Sequence, residues 1–178
     1  MPAADRRLSL KESCPVNTHC YIGATRPENP HLVHARFVLD GYPAVVLPAL
    51  AAIWAGHTHH DTTALIAAIL AHDWEYLDPD ITATTLSPFA GQRPVPGVGM
   101  TLASEVNPPE QVTAFPLCHA GHLDAEWIYL IEANGTVAVH SGDGIHVATC
   151  PLDDCLPSTV TSRSERPRRR RPTAGALR

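Results

Sequence analysis

"EWIYLIEANGTVAVHSGDGIHVATC", residues 126–150, decides the fold class. Runs rich in Ile, Val, Tyr and Trp are divided by two turns, Ala133-Asn134-Gly135 and Gly142-Asp143-Gly144. Branched and aromatic side chains suit a pleated surface, while Asn and Gly supply the left-handed backbone of a tight hairpin. The stretch reads as strands over 126–132, 136–141 and 145–150. Working backwards, "MTLAS" (100–104) and "QVTAFPL" (111–117) add two more.

Upstream the periodicity changes. "PAVVLPALAAIWAG" (43–56) is uncharged, with Val46, Leu50, Ile53 and Trp54 at helical spacing, and predicts a helix buried almost all round. Pro48 kinks that helix if it begins at Pro43. A second helix follows Asp61, an N-cap residue, with Leu65, Ile66, Ile69, Leu70, Trp74 and Leu77 as its apolar stripe. "HLVHARFVLD" (31–40) reads as a strand entering the "DGYP" turn, and residues 81–99 as a long loop of the kind that is often functional. The expected fold is an α+β single domain: one N-terminal strand, two helices, then an antiparallel meander of about four to five strands. An irregular arm (1–30) precedes the domain (31–156), and an Arg-rich tail (157–178) follows, too poor in apolar residues to fold.

With 178 residues there is enough chain for one real core. The first residues lack the apolar run of a signal peptide, and residues 43–56 are too short to span a bilayer, so a cytoplasmic location without a membrane partner is expected. Five scattered cysteines are expected as free thiols. Charge is asymmetric. Residues 161–178 hold seven arginines and one glutamate, net +6, whereas the other 160 residues carry six basic and seventeen acidic side chains, net −11.

"AGHTHHD" (55–61) places three histidines beside a carboxylate and invites a metal reading, yet the surrounding blocks of known metallohydrolases are missing. The simpler expectation is a connector: Gly56 as C-cap of the first helix, His57 at the negative end of its dipole, Asp61 capping the second. "CHAGHLD" (118–124) offers Cys118, His119, His122 and Asp124, all zinc-ligand types. A composite site of His57, His59, His119, His122 and Asp124 requires the two loops to meet. No cofactor is otherwise expected, zinc being the metal these donors would take. Cys14, Cys20, Cys150 and Cys155 lack the tight Cys-x-x-Cys spacing, although a four-thiolate site joining the domain's ends is conceivable. The acidic "DWEYLDPD" (73–80) reads as a solvated helix end, and "PVPGVGM" (94–100) as an ordered turn rather than a phosphate cradle.

"LDGYP" (39–43), "VPGVGM" (95–100) and "EWIYLIE" (126–132) resemble small uncharacterised actinobacterial proteins, more distantly similar to phage-encoded proteins with a DGYP turn. That resemblance implies a compact α+β domain of accessory or mobile-element origin and supplies no catalytic residue. Where phage-like members carry Trp before the Asp, this chain has Leu39.

The leading expectation is an accessory or interaction protein without enzymatic activity. An unknown protein partner would meet Asp40, Tyr42, Phe89 and Arg93. The rival is a metal-dependent hydrolase using the histidine cluster. A third reading is a nucleic-acid binder gripping phosphates through Arg168, Arg169, Arg170 and Arg171, with salt-sensitive, sequence-blind affinity.

Overall fold

Where an irregular arm is expected, the chain already forms a strand. In a computed structural model describing residues 18–87, 89–103 and 112–156, β1 (Cys20–Arg26) turns at Pro27-Glu28 into β2 (Asn29–Val38), paired antiparallel from Cys20↔Val38 to Arg26↔Asn29. "RPENP" is thus a hairpin turn, and the domain begins before residue 31. Helices α1 (Pro43–Gly56) and α2 (Thr62–Ile69) follow, then β3 (Trp74–Leu77), β4 (Pro94–Val95), β5 (Gly99–Thr101) and β6 (Thr113–Pro116). The chain closes with β7 (Trp127–Ile131), β8 (Thr136–Ser141) and β9 (His146–Pro151), the meander read from 126–150. Short 3-10 turns occupy Leu117–His122 and Leu152–Cys155.

Among the described residues, the expected single strand plus meander is replaced by a nine-stranded mixed sheet in the order β4-β5-β3-β2-β1-β7-β8-β9, with β6 pairing the middle of β2, Leu32 to Ala35. The meander joins the rest through β1, which runs parallel to β7 from Cys20↔Trp127 to Gly23↔Leu130. β2 and β3 are also parallel, meeting at Val38↔Trp74.

Alternation assigns the two faces. Cys20, Ile22, Val38, Tyr129, Ile131, Val137 and Val139 pack against α1 and α2, while Val33, Ala35, Ile128, Leu130 and Ala138 share the other side with Phe115 and Ala120. Both faces are covered, so β1, β7 and β8 read as nearly continuous apolar runs.

The second helix is shorter than its stripe suggests: it stops at Ile69, and Trp74 and Leu77 belong to β3. Trp74 Nε1 donates to Ile69 O at 2.9 Å and Phe37 N to Asp73 Oδ1 at 3.0 Å, so the exit of α2 is bonded to β2. Arg36, almost fully buried, donates from Nε to Leu70 O at 2.9 Å. An irregularity between Trp74 and Tyr76 buries both Trp74 and Leu77, three residues apart, which imitates helical spacing.

α1 does begin at Pro43, so Pro48 sits in its interior, where the ring removes one helical donor. Val46, Ala49, Leu50, Ala51, Ile53 and Trp54 are buried as expected, but Val45 is exposed. The DGYP turn is anchored at Gly41. Its N–H donates to Thr18 O at 2.6 Å, its carbonyl accepts from Tyr129 Oη at 2.7 Å, and a Cβ there would lie 2.6 Å from both Thr18 O and Cys20 Cβ. None of the described helices is long and apolar enough to cross a membrane.

Candidate functional site

Three motifs that stand apart in sequence line one cleft of about 490 Å³. Ala52, Gly56 and His57 come from the end of α1, Pro79 and Asp80 from the turn after β3, and Gly97 from the turn between β4 and β5. That volume lies within the roughly 300–1,000 Å³ of small-molecule sites.

Each wall has a local cause. Asp78 Oδ1 accepts from Asp80 N at 2.9 Å, an Asx turn that shapes the chain at Asp80, and Ile81 N donates to Asp78 O. Asp78 N donates to Val98 O and Gly97 N to Ile81 O, tying the second wall to the third. Gly97 has φ +75°, and a Cβ on it would sit 2.7 Å from His57 Nδ1, so only glycine lets the ring and the turn approach this closely. Gly56 faces open space: a Cβ there meets nothing within 4 Å.

The electrostatics are one-sided. The C-terminal end of a fourteen-residue helix carries partial negative charge, no basic residue lies in its last turn, and acidic Asp80 lines the same space. The cleft therefore favours a cation or a multiple hydrogen-bond donor, with the His57 imidazole as an adaptable donor or acceptor.

Residues 82–96 leave from one wall and return to the next, closed at the base by Gly97 N→Ile81 O at 3.0 Å. This excursion is internally bonded. Thr82 N donates to Thr85 Oγ1, Phe89 N to Ser87 Oγ at 3.1 Å, and the Ser87 hydroxyl to Gln92 Oε1. It presents Leu86, 91% exposed, and Phe89, 60% exposed. Apolar side chains held outward on a bonded surface loop form a contact surface rather than a collapsed one.

The connector reading of "AGHTHHD" holds with one correction. Asp61 caps α2, accepting from Ala64 N at 3.0 Å, and His57 is the C-cap of α1, bonded to Ile53 O. Gly56 is still helical. The left-handed positions fall instead on His59 (φ 51°) and His60 (φ 65°), the latter held by its N–H to Trp54 O and its ring against the Trp54 indole.

The two histidine loops do not meet. His57 and His59 follow α1 on one side of the sheet, whereas His119 and His122 lie on the 3-10 turn packed with Val33, Ile128 and Ala138 on the other, exposed and followed by exposed Asp124. Among the described residues no three His, Cys, Asp or Glu side chains form a metal-binding group. Cys20 is fully buried, its thiol pushed up by burial and then by Asp40, and Cys14 lies outside the described residues.

Asp40 is half-buried in its turn and Tyr42 is 45% exposed. Arg93 is exposed, its backbone paired both ways with Thr101. Arg168, Arg169, Arg170 and Arg171 lie outside the described residues.

Ala52, Pro79 and Asp80 were not recognisable as site residues from the sequence. The "DPD" run signals its Asx turn, but no spacing signals that it lands beside "AGH" and "PGVG". Comparison of the chain with family models, curated proteins and solved structures finds no match.

Proposed function

We propose that this is a non-enzymatic interaction protein that receives a basic side chain of a protein partner in the His57–Asp80 cleft, with Leu86 and Phe89 supplying adjoining apolar contact. The observation that carries this reading is the excursion 82–96, pinned at the cleft wall by Gly97 N→Ile81 O while Leu86 and Phe89 stand exposed on it. Exposed apolar side chains gain by burial against a partner, and a carboxylate at a helix C-terminus selects a positive group.

The electrostatic half is tested by titrating the labelled protein with acetyl-arginine amide and with its neutral isostere acetyl-citrulline amide, following backbone amide resonances. The arginine compound shifts the amides of Gly56, His57, Asp80 and Gly97, and Asp80→Asn removes that response. Equal shifts by both compounds, or shifts scattered elsewhere, overturn the reading.

A further inference from the structure

Two histidines meet ring to ring across neighbouring strands: His140 on β8 and His146 at the start of β9, with centroids 5.3 Å apart and planes at 79°. A bulge makes them neighbours. Pairing runs Ala138↔Thr149 and Val139↔Ala148, a register that would set Val147 opposite His140, but it shifts there and His146 takes the place. Bulges re-aim side chains and recur beside functional sites.

Each ring is oriented through one nitrogen and keeps the other. His140 Nδ1 lies 3.2 Å from Gly144 O; a carbonyl only accepts, so in the neutral ring Nδ1 carries the proton and Nε2 the lone pair. His146 Nε2 lies 2.9 Å from Thr149 Oγ1, which leaves Nδ1 outside that bond. The orienting carbonyl is itself fixed. Gly144 has φ +85°, its N–H donates to Ser141 O at 2.9 Å, and Leu117 O leaves no room for a Cβ on it. Metal-ligating imidazoles are held in this way, the second nitrogen donating to a backbone carbonyl or similar acceptor. Two imidazoles on one tetrahedral zinc ion, at Zn–N of about 2.0–2.1 Å, have ring centroids about 5 Å apart, and this pair matches that spacing. His140 is buried and His146 exposed, so the pair is reached from solvent.

We propose that His140 and His146 form a two-imidazole zinc site, ligating through His140 Nε2 and His146 Nδ1. The other coordination positions go to water or to a donor on a bound molecule, which makes the site open and exchangeable rather than a four-ligand structural one. A two-ligand site is compatible with the finding that no three donor side chains cluster among the described residues. His140 pairs with Ile128 on the sheet side away from α1, so the site is separate from the His57–Asp80 cleft. Zinc held here cross-links β8 to β9 at the bulge and stabilises the folded chain by mass action.

The test titrates the nitrogen-15-labelled full chain with zinc chloride at neutral pH and follows the histidine ring resonances. One equivalent is expected to shift His140 and His146 together, at Nε2 and Nδ1 respectively, before any other histidine responds, and to raise the thermal midpoint. His146→Ala, a change at an exposed position, is expected to weaken zinc binding by more than roughly tenfold, to abolish the His140 response and to leave the circular dichroism unchanged. A first response at His57, His59 and His60 or at His119 and His122, or undiminished zinc affinity in His146→Ala, overturns the proposal.

Discussion

At the scale of single residues, the most informative contact is Tyr129 Oη to Gly41 O at 2.7 Å, a buried bond reaching from the middle of the sheet to the DGYP turn. Tyr129→Phe leaves that carbonyl unpaired and is expected to lower unfolding free energy by about 1–2 kcal/mol in urea titration. Burial raises the Tyr129 pKa above that of an ordinary phenol, so the bond survives throughout the neutral range. His59 is the opposite case, an exposed residue in left-handed backbone. His59→Gly relieves that strain at some entropic cost and is expected to raise stability by about 0.5 kcal/mol. The third residue is His140, whose pKa lies below its ordinary 6.5 because burial outweighs the Gly144 carbonyl, with His146 lowering it further and Glu132 raising it. The folded protein thus binds a proton here less readily than the unfolded chain. This contribution is complete above pH 6.5 and is lost as pH falls below it, levelling off beneath the folded pKa. Denaturation midpoints are expected to drop between pH 7.5 and 5.5, and His140→Gln to shrink that drop; an unchanged drop refutes the assignment. His72, lowered by burial and by Arg93 and Arg36, retains a share.

Among the elements, α1 couples stability to the cleft through its last residue. Gly56 lies in helical backbone with open space where a Cβ would go, so Gly56→Ala is expected to stabilise the protein by about 0.5–1 kcal/mol. The same methyl narrows the cleft, and the response to acetyl-arginine amide should weaken; a stabilised variant with undiminished response separates the helix argument from the binding one. The helices also show what the sequence discloses and what it withholds. The existence of α1, the Asp61 cap and the three strands of 126–150 follow from composition, turn chemistry and periodicity, all local properties. β1 escaped because "CYIGATR" contains Gly23 and lacks a clear alternation, and its place is set by pairing with β2 on one side and with Trp127 to Leu130 on the other. β3 was absorbed into the α2 stripe because its irregular register buries Trp74 and Leu77 at helical separation. The cleft was illegible for the same reason. Each of its walls is a recognisable turn, but their convergence is set by backbone bonds such as Asp78 N→Val98 O, which no local pattern encodes.

For the whole molecule, the sheet is finished differently at its two ends. At one end stands β4, a two-residue strand, whereas at the other β9 presents a six-residue edge with Val147 55% exposed and Ile145, just before it, 64% exposed. Among the described residues no strand pairs with the outer side of β9, and an edge carrying branched side chains is a template for pairing with another chain. If the protein associates through this edge, sedimentation shows a concentration-dependent species that Val147→Lys reduces without altering the circular dichroism; a monomer at all concentrations, or association that the substitution leaves unchanged, refutes the edge contact.

The parallel pairing of β1 with β7 has a consequence in time. β1 is central to the sheet, yet one of its neighbours is supplied from far along the chain. During synthesis the first strand and both helices emerge with that side of the sheet unfilled, and the central register closes only after Ile131 has appeared. Long-range closure of this kind places folding toward the slow, millisecond-to-second end for small domains. Until then the edge of β1 that receives β7 has its backbone groups unpaired, and the nascent chain is at its most vulnerable to aggregation.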